Sequence, residues 1–158
     1  MPTSPGELAD RFGYPEELTA ILDAIVAVVS RSARGRHALV LSGSVATGDF
    51  VWRSGEAGPR LLSDLDATLY VEGEWAGRRE LDATIARLER EVASPLFHID
   101  LSVQSMQSLD RIEERFQHVE ARLAGIVLCG EDVFERYPER VETRAARQST
   151  LNNLWKCV

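Results

Sequence analysis

Three observations predict an α/β fold. Segments with apolar residues at helical spacing alternate with short apolar runs of strand length. One such run ends at Gly43-Ser44, where an apparent strand gives way to a turn. Two others carry acids among apolar residues: Ser63-Asp64-Leu65-Asp66, and Asp100 within Phe97-His98-Ile99-Asp100-Leu101-Ser102-Val103. With 158 residues, 44% hydrophobic and 27% charged, the chain can bury a core and has the composition of a soluble globular domain.

Taken in order, residues 1–13 hold two prolines and two glycines and are expected to be a partly loose lead-in, followed by one domain over residues 14–158. From Pro15 to Ser32, Leu18, Ile21, Leu22, Ile25, Val28 and Val29 recur on one helical face. Pro15 with Glu16 and Glu17 suits a first turn, where proline loses no hydrogen bond and acids meet the positive end of the dipole. Ala38–Ser42 reads as a strand, and Val45-Ala46-Thr47 as the opening of a short helix. Phe50-Val51-Trp52 and Arg60-Leu61-Leu62 flank a turn-rich stretch, the pattern of a hairpin. A strand is expected over Leu65–Val71, a helix over Gly77–Val92, a strand over Phe97–Val103, a helix over Leu109–Leu123 and a strand over Ile126–Gly130. A closing helix is expected over Val141–Trp155.

Composition removes several function classes. A formal net charge of −7 argues against a broad grip on a nucleic-acid backbone, so long templates and primers are poor substrates to expect. A single nucleotide remains compatible, because metal ions can supply positive charge locally. Cys129 and Cys157 suggest neither a disulfide scaffold nor a zinc site, there being no second Cys/His pair at ligand spacing. Residues 1–10 lack the basic start and apolar centre of a signal peptide, and the Ala20–Val29 stretch is too short for a membrane span; a cytoplasmic protein is expected.

The chemistry follows from strand parity. If Asp64 and Asp66 lie on one strand, they share a face with Cα atoms roughly 6–7 Å apart. His98, Asp100 and Ser102 share the polar face of the other strand, while Phe97, Ile99, Leu101 and Val103 pack inward. If the two strands are neighbours, Asp64, Asp66 and Asp100 can surround a pair of Mg²⁺ ions roughly 3.5–4 Å apart. Such a pair would hold a nucleoside triphosphate and align an acceptor hydroxyl, with Asp100 also able to take its proton. Gly43 would let a phosphate approach the backbone, and the Ser44 hydroxyl would add a donor. Gly48 is expected to keep the short helix close to the sheet. His98, Trp52, Tyr70, Trp75, Arg53 and Arg60 are secondary candidates for contacts to nucleotide or acceptor; packing is the better default for the aromatics, solvated charge for the arginines, and a hydrogen bond at the strand edge explains His98 at least as well.

These pieces resemble the nucleotidyltransferase superfamily that includes DNA polymerase β. Leu41-Ser42-Gly43-Ser44-Val45-Ala46-Thr47-Gly48 looks like its phosphate-binding motif, Ser63-Asp64-Leu65-Asp66 its paired metal-binding acids, and His98-Ile99-Asp100-Leu101 its third acid. The resemblance covers residues 38–103, with an echo at 125–130. It implies a mixed β-sheet flanked by helices in the polymerase-β-like arrangement, and catalytic and metal-binding roles for Asp64, Asp66 and Asp100. It also implies phosphate binding at Gly43 and Ser44, with Mg²⁺, two ions, as cofactor. The implied reaction moves a nucleoside monophosphate, expected to be AMP from ATP, to a hydroxyl of a small molecule or protein. The alternative is a nucleotidyltransferase-like antitoxin or regulatory module acting through a protein partner. The step of twenty positions from Gly43 to Ser63 exceeds the spacing in compact members. Many members also continue into a helical domain that shapes the acceptor site. Either a partner chain or second copy would supply that surface here, or the sequence is a fragment of a longer chain.

Overall fold

Alternation of apolar residues along the strands gives the sheet two different faces, and that difference positions the candidate site. The computed structural model describes residues 1–55, 59–112 and 116–140. The architecture is α/β, with a mixed four-stranded sheet flanked by helices. Its elements are α1 (Pro5–Phe12), α2 (Glu16–Ser32), β1 (His37–Ser42), α3 (Gly43–Thr47), β2 (Trp52–Arg53), β3 (Arg60–Leu61), β4 (Leu65–Val71), α4 (Arg78–Val92), β5 (Ile99–Ser105), α5 (Phe116–Ala124) and β6 (Ile126–Gly130). The sheet order is β5-β4-β1-β6, while β2 and β3 form a separate small ribbon. β1 pairs antiparallel with β4 and β6, and β4 pairs parallel with β5. The parallel pair requires a crossover, which α4 provides.

Leu39, Leu41, Leu65, Leu69, Ile99 and Leu101 point to one face and meet the apolar stripe of α2 together with Leu8, Leu81 and Leu88. Burying each such side chain contributes about 1.5–3 kcal/mol, which makes this face the principal core. The opposite face carries a smaller apolar cluster of Ala38, Val40, Tyr70, Met106, Leu109, Ala121, Val127, Val133 and Tyr137. The rest of that second face is polar, and α5 stands over it. Among the described residues no helix is long and apolar enough to cross a membrane.

Three expectations need correction. Residues 5–12 are a helix rather than loose chain. Ser4 and Glu7 form a reciprocal capping box, Pro5 opens the first turn and Gly13 closes the helix at φ 69°. The prolines and glycines read as loop punctuation are thus the start and stop of a helix. The single helix expected over 109–123 is instead a 3-10 helix over Met106–Arg111 and the separate α5. Gly48 does not serve the sheet. It caps α3 at φ 87°, and a Cβ there would meet the Phe12 ring at 2.8 Å. The helix expected over Val141–Trp155 lies outside the described residues.

Helix α1 therefore braces α3. Phe12 packs under Gly48, and the buried Tyr14 hydroxyl donates to the Val45 carbonyl at 2.7 Å. Burial, then the nearby Asp49 charge, pushes the Tyr14 phenol up to about 12, so it stays a donor across the working range. Tyr14→Phe should cost about 1 kcal/mol in urea unfolding, the net worth of a buried hydrogen bond. Gly48→Ala should cost more, about 1–3 kcal/mol, because a left-handed backbone and a ring both oppose the new methyl.

Candidate functional site

The register of the sheet lines up three rows on its polar face. Ser42 stands opposite Asp66, and Asp66 opposite Asp100. The next row is Val40, Thr68 and Ser102, and the third Ala38, Tyr70 and Gln104. The Ser102 hydroxyl donates to Thr68 Oγ1 at 3.1 Å, which fixes both side chains on this face. Neighbouring strands lie roughly 4.8 Å apart, so Asp66 and Asp100 are like charges directly across a ladder, an arrangement that destabilises a sheet.

Asp64 departs from its expected setting. β4 begins at Leu65, whose N–H donates to the His98 carbonyl at 2.8 Å, so Asp64 is an exposed residue just ahead of the strand. Its charge still reaches Asp66. The Asp66 carboxyl, half-buried, is held above the usual carboxylate range by burial first, then by Asp100, Asp64 and Glu120. Asp100 is exposed at the open edge of the row, on the edge strand β5.

Gly43 joins the end of β1 to α3 with φ 63°, and a Cβ there would overlap the Asp66 carboxylate. Glycine is thus required twice, by backbone conformation and by space. The Ser42 side chain does not cap α3, and among the described residues its first backbone N–H groups stay open beside the aspartates. Ser44 follows directly, half-buried, and its carbonyl accepts from the Gly48 and Asp49 N–H groups to close the turn.

A cavity of about 320 Å³ opens off Asp66, between the polar sheet face and α5. Gly43 and Asp66 line it; Ser44, Asp64 and Asp100 stand outside its lining. Glu120 of α5 also lines it, and its charge on Asp66 makes it a fourth acid of the site. Sequence reasoning missed Glu120. It has no motif around it, and only the docking of α5 over the sheet brings it near. Tyr70, a secondary candidate for stacking, is a buried wall of the cavity bonded to Tyr137. The other secondary candidates have structural partners. His98 Nδ1 pairs with Glu89 of α4, the Trp75 indole N–H donates to the Ser32 hydroxyl, and Trp52 packs against the core. Arg53 and Arg60 are exposed partners in the small ribbon.

Among the described residues no three His, Cys, Asp or Glu side chains are gathered closely enough to hold a metal ion by themselves. The donor chemistry nevertheless suits Mg²⁺, which takes oxygen ligands and is commonly held by one or two carboxylates together with substrate phosphates. No described residue gives Asp64, Asp66 or Asp100 a hydrogen bond or an ion pair. Three carboxylates beside an open backbone turn, with no cationic side chain among the described residues paired to them, leave their charge for a ligand to balance.

No family model matches the chain, and no curated protein matches it. A solved structure that it resembles is a crystal structure of a toxin-antitoxin with AMP-PNP, at 16% sequence identity and a TM-score of 0.42, over 85% of this chain and 87% of that one. So distant a likeness leaves the functional reading to the side chains themselves.

The raised Asp66 pKa has a thermodynamic sign. The folded state binds this proton more tightly than the unfolded chain, so the carboxyl's contribution to stability falls as pH rises from the ordinary carboxylate value through the raised one. Above that window the ionised group opposes folding. In metal-free buffer at neutral pH, Asp66→Asn should therefore melt higher than wild type, and the gap should close at acidic pH where both side chains are neutral. A variant that melts lower at neutral pH would show Asp66 to be stabilising and contradict the repulsion described.

Proposed function

We propose that this chain is a metal-dependent nucleotidyltransferase of the polymerase-β superfamily, moving AMP from ATP to a hydroxyl. The observation that carries the reading is the row Ser42–Asp66–Asp100 meeting the Gly43-Ser44 turn, with Asp64 and Glu120 adding charge to Asp66. An anion-compatible turn next to uncompensated carboxylates suits a ligand that brings phosphates and cations together.

In this reading the open N–H groups at Gly43 and the Ser44 hydroxyl hold the terminal phosphates of ATP. Asp64, Asp66 and Asp100 would hold Mg²⁺, which when bound supplies charge neutralisation for the phosphates and a lower pKa for the acceptor hydroxyl. Asp100, exposed at the edge of the row, takes the hydroxyl proton. The acceptor oxygen forms a bond to the α-phosphorus as the bond from that phosphorus to the bridging oxygen breaks. Pyrophosphate leaves with the electron pair, and the acceptor carries AMP as a phosphodiester. The raised Asp66 pKa fits a carboxylate whose charge a bound cation would offset.

The test is transfer of label from α-labelled ATP and Mg²⁺ to acceptors in a cell lysate. Asp64→Asn and Asp100→Asn should each lower transfer by about 10²–10³-fold while the protein stays folded, the scale of losing one charge-stabilising group at a reacting centre. Unchanged transfer in both variants would remove the site. No transfer and no ATP–Mg²⁺ binding by wild type, with a protein partner co-purifying, would favour a regulatory binding module instead.

A further inference from the structure

The two edges of the sheet are finished differently. At β6 the Thr3 N–H donates to the Val127 carbonyl at 2.8 Å, and the pairing with β1 shifts register between Leu39 and Val40. At β5 the register with β4 runs unbroken from Ile99 to Ser105, with no proline, no lysine and, apart from Asp100, no charge. Proline, lysine and bulges are the usual devices that stop an edge from pairing.

The ladder shows which backbone groups line the β5 edge. Leu65 N–H donates to the His98 carbonyl, so Asp100, Ser102 and Gln104 turn their N–H and C=O groups toward β4. Ile99, Leu101, Val103 and Ser105 turn theirs outward. Some of these outward groups are already taken. The Ile99 N–H donates to Glu89 Oε1 at 2.9 Å, and the Ser105 carbonyl accepts from the Ser108 hydroxyl at 2.6 Å. Among the described residues the rest have no partner: the Ile99 carbonyl, both groups of Leu101 and of Val103, and the Ser105 N–H.

This set is its own complement. In a two-fold antiparallel pair centred on Ser102, Leu101 stands opposite the partner's Val103 and exchanges both bonds with it. Ile99 stands opposite the partner's Ser105, where the groups already taken face each other and the free ones meet. Every free group finds a partner. A centre at Leu101 or at Val103 instead sets a free group of each copy against one already taken. The side chains agree with the Ser102 register. Leu101 and Val103 make an apolar cross-strand pair on the core face, and on the polar face Asp100 stands opposite Gln104 rather than another acid. The Ser108 hydroxyl donates to Gln104 Oε1 at 3.3 Å, which leaves the amide N–H groups as the free end of that side chain.

We propose that a second copy of this chain pairs along β5 in this register, joining two four-stranded sheets into one. The aspartate row then runs across the two-fold axis, and the partner's Gln104 donates to Asp100 at its exposed end. The pairing stands whether or not the site transfers nucleotides.

Sedimentation velocity of the full chain in metal-free buffer should show a dimer that dissociates on dilution. Gln104→Glu sets a carboxylate against Asp100 at both ends of the pair and should weaken the dimer about tenfold, while Gln104→Lys should tighten it by a similar factor. Asp100→Asn combined with Gln104→Glu keeps the net charge and should restore the wild-type affinity. Cross-linking reads the register separately. Ser102→Cys places two thiols at the two-fold axis, within disulfide reach, and should give a covalent dimer on mild oxidation. Gln104→Cys, whose copies lie four strand positions or roughly 13 Å apart along the ladder, should not. Wild type controls for Cys129 and Cys157. A chain that stays monomeric at every concentration up to its solubility overturns the pairing. So does a dimer that ignores both charge changes at Gln104, or one that Gln104→Cys locks as readily as Ser102→Cys.

Discussion

Two carboxylates face each other across a parallel ladder, and the architecture around the site follows from that constraint. Asp66 and Asp100 are register partners, so their separation is set by the spacing of β4 and β5 and cannot relax by much. Asp64 and Glu120 add to the same field, and burial keeps water from screening Asp66 fully. A sheet accepts such a pairing at a cost in stability, which the apolar face beneath it offsets. Leu65, Ala67 and Leu69 alternate with the acid-bearing positions and bury themselves against the helical layer. The same strand thus carries the charge and anchors it.

Precision at the Gly43-Ser44 turn comes from a less obvious quarter. The five residues of α3 are too few to hold a fixed orientation alone. Tyr14 grips one of its carbonyls, Phe12 fills the space beside Gly48, and Val45 and Ala46 sink into the core. Gly43 then has no freedom to move from the Asp66 carboxylate. An N-terminal helix remote from any motif is what sets the distance between turn and acids.

Much of this was legible in the sequence, for physical reasons. Strand parity is strict, so the alternation in 65–71 and 97–103 was enough to assign the acids a common face. The glycine-serine turn was legible because an apolar run ended there abruptly. What escaped was whatever depended on tertiary context or on terminal residues. Pro5 and Gly13 look the same in a loop as at helix ends, and only the Ser4–Glu7 capping box distinguishes them. Asp64 sits one residue outside β4 because pairing starts at Leu65, a boundary that no propensity fixes. Glu120 and the Tyr70–Tyr137 pair belong to the site only because α5 and the segment after β6 fold over the polar face. Their partners are distant in the chain, and nothing local announces them.

The central claim is that the aspartate row is held in repulsion until a cation arrives with a nucleotide. It is tested most directly by following the Asp66 side-chain carboxyl carbon through a pH titration by NMR, first in metal-free protein and then with Mg²⁺ and a non-hydrolysable ATP analogue. The account predicts titration above the ordinary carboxylate range in the free protein and a fall below that range when Mg²⁺ and the analogue are present together. An ordinary midpoint in the free protein, or one that Mg²⁺ and the analogue leave where it was, would contradict it.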